Sequence, residues 1–550
     1  MSVQRIPFGT LFGSALFCSL ALGMDLARKE TGVDQAVAEF KVTGKGVLVA
    51  IMDRGIDWGN SDFRNPDGTS RIEYIFDLTD DGGAKAAKNT YKMGTIYTKN
   101  EINEALKKRI QLTTRDAVGH GTTTAGIACG NGQNSPGLKY RGIAPDASLL
   151  VVKITGGAPA HGDEPAEANF YRGERLPVAI DFIRDKTKEL GMPCVMCLNI
   201  GSQGGPTDGS SELCRKIDAT VGPAIPGLIF VTGPGDDGGR ANRAGGTIKQ
   251  DTSLMLKVTK ETKTPIRVEL WYSDTDRLDV SVHTPSGKFG PYPTPTKDKE
   301  RQTANEKEFV FHHNAGNARF YRPENKKREV FVELTGPVVD YALVLHGKTV
   351  KNGRFDATLG PNPPAANLAP FNRFLNYVAP GSIWDGATAH HNICPGDYVI
   401  RTHWKDIDGK SRSQADQGKV GELWTGSSTG PTFDGRLGVD FCVPGDSLFT
   451  TYNPRSHWAT FRFNLVHDGK GLYGRASAVS AANPFATGVI ALMLELDPRL
   501  DAVTAKQILQ KSARSDQFTG NTPNPSWGYG KLDVQAALTL TKQNADKRKP

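Results

Sequence analysis

Ala478-Val479-Ser480-Ala481-Ala482-Asn483-Pro484 runs on as Phe485-Ala486-Thr487-Gly488-Val489-Ile490-Ala491-Leu492, and the reading of this 550-residue chain turns on it. A serine in a run of small residues stands just before a proline. An apolar helical pattern follows, bounded by Glu495 and Asp497-Pro498. Small residues let a second chain approach the backbone, and a helix N-terminus offers free N–H groups and partial positive charge. A hydroxyl placed there is suited to attack beside an oxyanion site. Such helix starts are mostly structural, so Ser480 carries chemistry only if a base and an orienting group lie elsewhere.

Both occur. The run 44–53 is apolar, opens on glycines and ends in Asp53, which reads as a buried parallel strand. Ligands gather at the C-terminal ends of such strands, so Asp53-Arg54-Gly55-Ile56-Asp57 opens a candidate site loop. His120 sits between Gly119 and Gly121 at the start of a small-residue helix. The runs 147–154, 194–200 and 228–232 read as further buried strands, and 175–190 as an amphipathic helix. Strands alternating with helices predict an α/β fold with a parallel sheet and helices on both faces.

After residue 245 the texture changes to short, partly alternating runs at 254–258, 266–271, 278–282, 308–312, 330–334 and 341–345. These predict an antiparallel β-sandwich of roughly 100 residues. The α/β texture resumes near Gly381. The expected organisation is a signal peptide at 1–23, a discontinuous catalytic domain at 24–245 and 357–545, and an inserted β-sandwich at 246–356.

Composition narrows the class. Hydrophobic content of 38% and charged content of 23% fit a globular chain, and a net charge of +8 is mild for this length. No basic stripe with interleaved aromatics is present, so nucleic acid is not an expected partner. The basic C-terminus reads as a solvated tail. Arg5 before the apolar run 6–23 reads as a secretory signal, placing the protein outside the cytoplasm. No later stretch is expected to span a bilayer. The lone Cys194/Cys197 pair lacks a second pair at zinc spacing, so buried thiols and a disulfide both stay open.

Asp53, His120 and Ser480 then supply a carboxylate, an imidazole and a hydroxyl on three glycine-bordered loops. Serine needs a base to take its proton, and the base needs a carboxylate to hold its tautomer. In this order they resemble the subtilisin-like serine peptidases of the S8 family. Asp53-Arg54-Gly55-Ile56-Asp57 is similar to the family's Asp-Thr/Ser-Gly-Ile/Val-Asp, and His120-Gly121-Thr122 to its His-Gly-Thr. The stretch from Ala478 to Pro484 is similar to its Gly-Thr-Ser-Met-Ala-x-Pro. Gly142-Ile143-Ala144-Pro145-Asp146 and Trp527-Gly528-Tyr529-Gly530 add support, and the resemblance covers about 25–240 and 370–540.

The resemblance implies that Ser480 is the nucleophile, His120 the base and Asp53 its orienter. It implies an oxyanion hole at Asp236 and Ser480, and a peptide or protein substrate lying along Ser202, Gly204, Ile154 and Gly156. No cofactor is required and no catalytic metal is expected. Structural calcium stays open at loop residues such as Asp57, Asp62 and Asp67, and a monomer is expected.

Four departures bear on catalysis. Asp236 replaces the family's asparagine, Ala478-Val479 its Gly-Thr, Arg54 a small residue, and Thr123 a histidine. A pseudopeptidase that binds peptides or proteins without cutting them is therefore the alternative. The insertion between Asp236 and Ser480 resembles the jelly-roll domain of clostridial Csp-type members. Little chain lies between residue 24 and Gly44 to act as a folding propeptide. We expect the β-domain to brace the catalytic domain instead.

Overall fold

The apolar runs between glycines leave no polar face for a half-exposed sheet, and they form a central sheet covered on both sides. The computed structural model describes residues 24–548 apart from 163, 168–172, 296–300, 306, 315–324, 362–370 and 415–416. The expected signal peptide lies outside the described residues.

Strand β1 (Leu48–Asp53) is buried at every position. It pairs in parallel with β4 (Ser148–Lys153) on one side and β5 (Cys194–Leu198) on the other. With β2 (Ile72–Asp77), β3 (Thr95–Thr98) and β6 (Leu228–Val231) the order is β3-β2-β4-β1-β5-β6. Only β3 runs antiparallel, along β2. Past β6 the parallel pattern continues through a bridge from Val231 to Ile393, and Pro395–Val399 pairs in parallel with Phe441–Asp446.

Two helices start at the strand ends that matter. His120–Cys129 packs on β1 and on the helix Val479–Leu496, which also touches β5. By length and composition Val479–Leu496 is apolar enough to cross a membrane, contrary to the expectation that no later stretch is. In the fold, 83% of that window is buried. Phe485, Val489, Ile490, Leu492 and Met493 join the main core, each large side chain contributing about 1.5–3 kcal/mol on burial. The apolarity is explained by contact on all sides rather than by lipid.

The inserted segment forms two antiparallel sheets around their own core, which includes Leu256, Val268, Leu270 and Leu343. Ser253–Thr259 alternates buried and exposed residues, as a strand with one solvated face must. The pairing reaches beyond 246–356: Arg243–Thr247 lies at the edge of one sheet and Arg373–Phe374 at the edge of the other. This unit grips the α/β part. Glu269 accepts a hydrogen bond from the Gly205 backbone N at 2.7 Å, Lys327 pairs with Asp208, and the Arg243 guanidinium lies 3.9 Å from the centre of the Phe433 ring. All six cysteines among the described residues are buried free thiols, which closes the disulfide alternative for them.

Candidate active site

Asp53 ends β1 and is fully buried. Its carboxylate is held by three donors: the Arg54 backbone N at 2.6 Å, Thr124 Oγ1 at 2.8 Å, and the His120 ring. His120 Nδ1 lies 2.7 Å from Asp53 Oδ1, and His120 Nε2 lies 3.0 Å from Ser480 Oγ. Burial disfavours a charged His120 ring, but the Asp53 carboxylate more than offsets it, and the His120 pKa lies above its ordinary value. The ring also meets the edge of Trp458, with centroids 5.4 Å apart.

Local structure explains how these side chains reach one another. A Cβ on Gly121 would fall 1.9 Å from the Gly55 carbonyl oxygen, so only glycine lets the His120 helix approach the loop after β1. Asp116, fully buried, accepts from the backbone N of Gly119 and of Thr122 and ties down the helix start. At the second helix, Pro484 has no N–H to give the carbonyl four residues back, which is that of Ser480. Asn199 Nδ2 supplies that donor at 2.9 Å and also bonds Thr124 Oγ1 at 2.7 Å. Asn483 in turn bonds Asn199 Oδ1. Thr124, Asn199 and Asn483 thus join the three helix and strand ends into one network. Sequence reasoning passed over Thr124 and Asn483, although their helical spacing from His120 and Ser480 was visible.

Asp236 lies beside the Ser480 helix start. Its Oδ1 accepts from the Val479 backbone N at 3.1 Å. Burial, then the neighbouring Asp237 carboxylate, push its pKa up to about 7. The two residues replacing Gly-Thr have local consequences. Ala478 adopts φ 76° and ψ 178°, a positive-φ extended conformation otherwise nearly confined to glycine, which costs about 1–3 kcal/mol. Val479 is buried with Val399 and Trp424, and a Cβ on Gly233 would fall 2.2 Å from its Cγ1. Arg54 bonds the Gly156 carbonyl, and Thr123 Oγ1 bonds the His120 carbonyl.

The expected substrate-binding residues divide. Ser202 is exposed after β5. Gly204 is buried, and a Cβ there would fall 2.8 Å from Glu269 of the inserted domain. Ile154 and Gly156 are also buried, the latter with its carbonyl taken by Arg54. Among these four only Ser202 is exposed: Glu269 of the insertion lies over Gly204, Arg54 holds the Gly156 carbonyl, and Ile154 belongs to the main core. The loop aspartates do not converge. Asp62 accepts from Thr451 and Tyr473, Asp67 from Thr69, and Asp57 from Asn60. No group of three or more metal-ligating side chains lies among the described residues.

Comparison with known proteins adds to the geometry. The model of the subtilase family matches residues 44–530. The chain is similar to the major intracellular serine protease of Bacillus subtilis (strain 168), at 31% identity over 121 residues. That stretch is 22% of this chain and spans only 28% of the relative's length. Among solved structures it resembles the Clostridium perfringens CspB protease at 23% identity, with a TM-score of 0.69 over 94% of this chain and 98% of the other. That likeness establishes the fold, a subtilisin-like α/β sheet with additional antiparallel sheets. With both the fold and the family model extending across most of its length, the chain belongs to the subtilase family of S8 peptidases.

Proposed function

We propose that the protein is a serine endopeptidase that hydrolyses peptide bonds through an acyl-enzyme. The carrying observation is the continuous line from buried Asp53 through His120 to Ser480 Oγ, at 2.7 and 3.0 Å. Ser480 attacks the scissile carbonyl while His120 Nε2 takes its proton. The C–N bond then breaks as His120 returns that proton to the leaving amine. Water repeats the cycle on the ester, and no cofactor is needed. The apolar run after Arg5 supports action outside the cytoplasm. A fluorophosphonate probe is expected to label Ser480 in the folded protein and not the Ser480→Ala variant. Folded wild-type protein that stays unlabelled would overturn the reading.

The oxyanion is stabilised by the Ser480 backbone N–H and by protonated Asp236. A carboxyl whose pKa lies near 7 is neutral and able to donate below that pH, and above it becomes an anion that repels the oxyanion. His120 must be neutral to act as base, so activity rises with pH until the ring deprotonates. Wild-type kcat is therefore expected to show an acidic limb from His120 and, as Asp236 ionises near pH 7, an alkaline fall of up to about 10²–10³-fold, the worth of one oxyanion donor. Asp236→Asn is expected to lose that alkaline fall. A variant retaining the same alkaline limb would remove Asp236 from this role. The second reading, binding without cutting, is favoured by one observation: Asp236 already accepts a bond from the Val479 backbone N. The probe separates the two readings.

A further inference from the structure

We propose, resting on the peptidase reading above, that Trp384 closes the side-chain pocket beside Ser480. Only glycine, alanine or serine is then accepted at the residue whose carbonyl is attacked. The place of that pocket follows from the site. His120 occupies the β1 side of Ser480, and Asp236 with the Val479 N-terminal turn occupies the oxyanion side. On this proposal the side chain of the attacked residue turns into the remaining side, between the chain leaving β5, 199–203, and the chain leaving β6, 233–236. Both walls offer glycine there, Gly201 and Gly235, which alone would make a wide slot.

The indole of Trp384 already fills it. A Cβ on Gly201 would fall 2.6 Å from Trp384 Cε3, and one on Gly235 would fall 2.4 Å from both Cδ2 and Cε2. Both glycines therefore make room for the indole rather than for a ligand. Two anchors hold it. The Trp384 backbone N donates to the Pro234 carbonyl at 2.9 Å, and Nε1 donates to Asp237 Oδ2 at 2.6 Å. Asp237 is buried, and swinging the ring out would strip its carboxylate of that donor while leaving Gln203 as its remaining side-chain hydrogen-bond donor. The indole is thus a wall rather than a gate. It is half-buried, so one part still faces the groove.

Internally quenched peptides identical except for alanine or phenylalanine at the attacked residue test this. Wild-type kcat/KM is expected to favour alanine by at least about 10²-fold. Trp384→Ala is expected to raise the phenylalanine value by about 10-fold or more, mainly through KM. Trp384→Leu, which keeps the wall apolar, should fall between. Circular dichroism and fluorophosphonate labelling report whether each variant keeps its fold and its reactive serine. Equal wild-type rates on the two peptides, or an unchanged ratio in both folded variants, would overturn the proposal. Lost labelling in wild type would instead count against the peptidase reading. In that case the affinities of Ser480→Ala protein for the cleaved peptides ending in alanine or phenylalanine read the pocket without turnover, with the same preference expected.

Discussion

His120→Ala is expected to lower kcat by about 10⁶-fold, some 8 kcal/mol of transition-state stabilisation, with little change in KM. The physical reason is that Ser480 Oγ has His120 Nε2 as its proton acceptor at 3.0 Å. Without the ring the hydroxyl must attack undissociated, and nothing returns a proton to the leaving amine. The rest of the site survives the change. Asp236 still faces Val479, Asn199 still holds the Ser480 carbonyl, and the helix keeps its Gly121 contact with Gly55. A residual rate from oxyanion stabilisation and binding should therefore remain. Steady-state kinetics on a quenched peptide, with circular dichroism as the folding control, measures this. A fall of less than about 10²-fold would mean that another group takes the proton.

Asp53→Asn is expected to cost about 10⁴-fold in kcat with the geometry almost unchanged. Asp53 accepts from the Arg54 backbone N, Thr124 Oγ1 and His120 Nδ1. Arg54 N and His120 Nδ1 share Oδ1 while Thr124 Oγ1 takes Oδ2, so the amide oxygen keeps the first position and its NH₂ meets the Thr124 hydroxyl, which can turn to accept. The ring then keeps its proton on Nδ1, but the negative charge that stabilises the imidazolium formed as Ser480 gives up its proton is gone. A second readout separates this from simple disruption. With the carboxylate gone, burial and the Arg54 charge outweigh the weaker pull of Asp116 on His120, so its pKa drops and the acidic limb of the rate profile moves to lower pH. An unchanged acidic limb in a folded variant would show that Asp53 does not govern the ring.

Much of this site was legible because its parts carry strong local signatures. A buried strand ending in Asp53, a histidine between glycines, and a serine before Ala-Ala-Asn-Pro each state a backbone requirement as well as a chemical one. Gly121 is needed for close approach, and Pro484 marks a helix turn whose missing donor must come from elsewhere. The change to short alternating runs after residue 245 announced the sandwich. Its edges were harder to read, because Arg243–Thr247 and Arg373–Phe374 are short edge strands whose partners lie far away in sequence. The buried helix Val479–Leu496 shows the opposite difficulty: its apolar length alone does not say whether protein or lipid surrounds it.

By itself the sequence determined the fold class, the inserted β-domain and three residues in the order of a hydrolytic site. Those rest on periodicity and on residue types that few other structures demand. The tertiary structure alone decided what those residues meet. It placed Asn199 on the carbonyl that Pro484 leaves free, buried Gly204 under Glu269, and set Trp384 between Gly201 and Gly235. It also walled in Asp236 beside a second carboxylate, which raises its pKa to about 7. Each of these depends on segments distant in the chain coming within a few ångströms, and spacing along one segment carries no record of such a meeting. The proposed chemistry of Ser480 is thus written locally, while the pH range and substrate choice proposed for it rest on neighbours that only folding supplies.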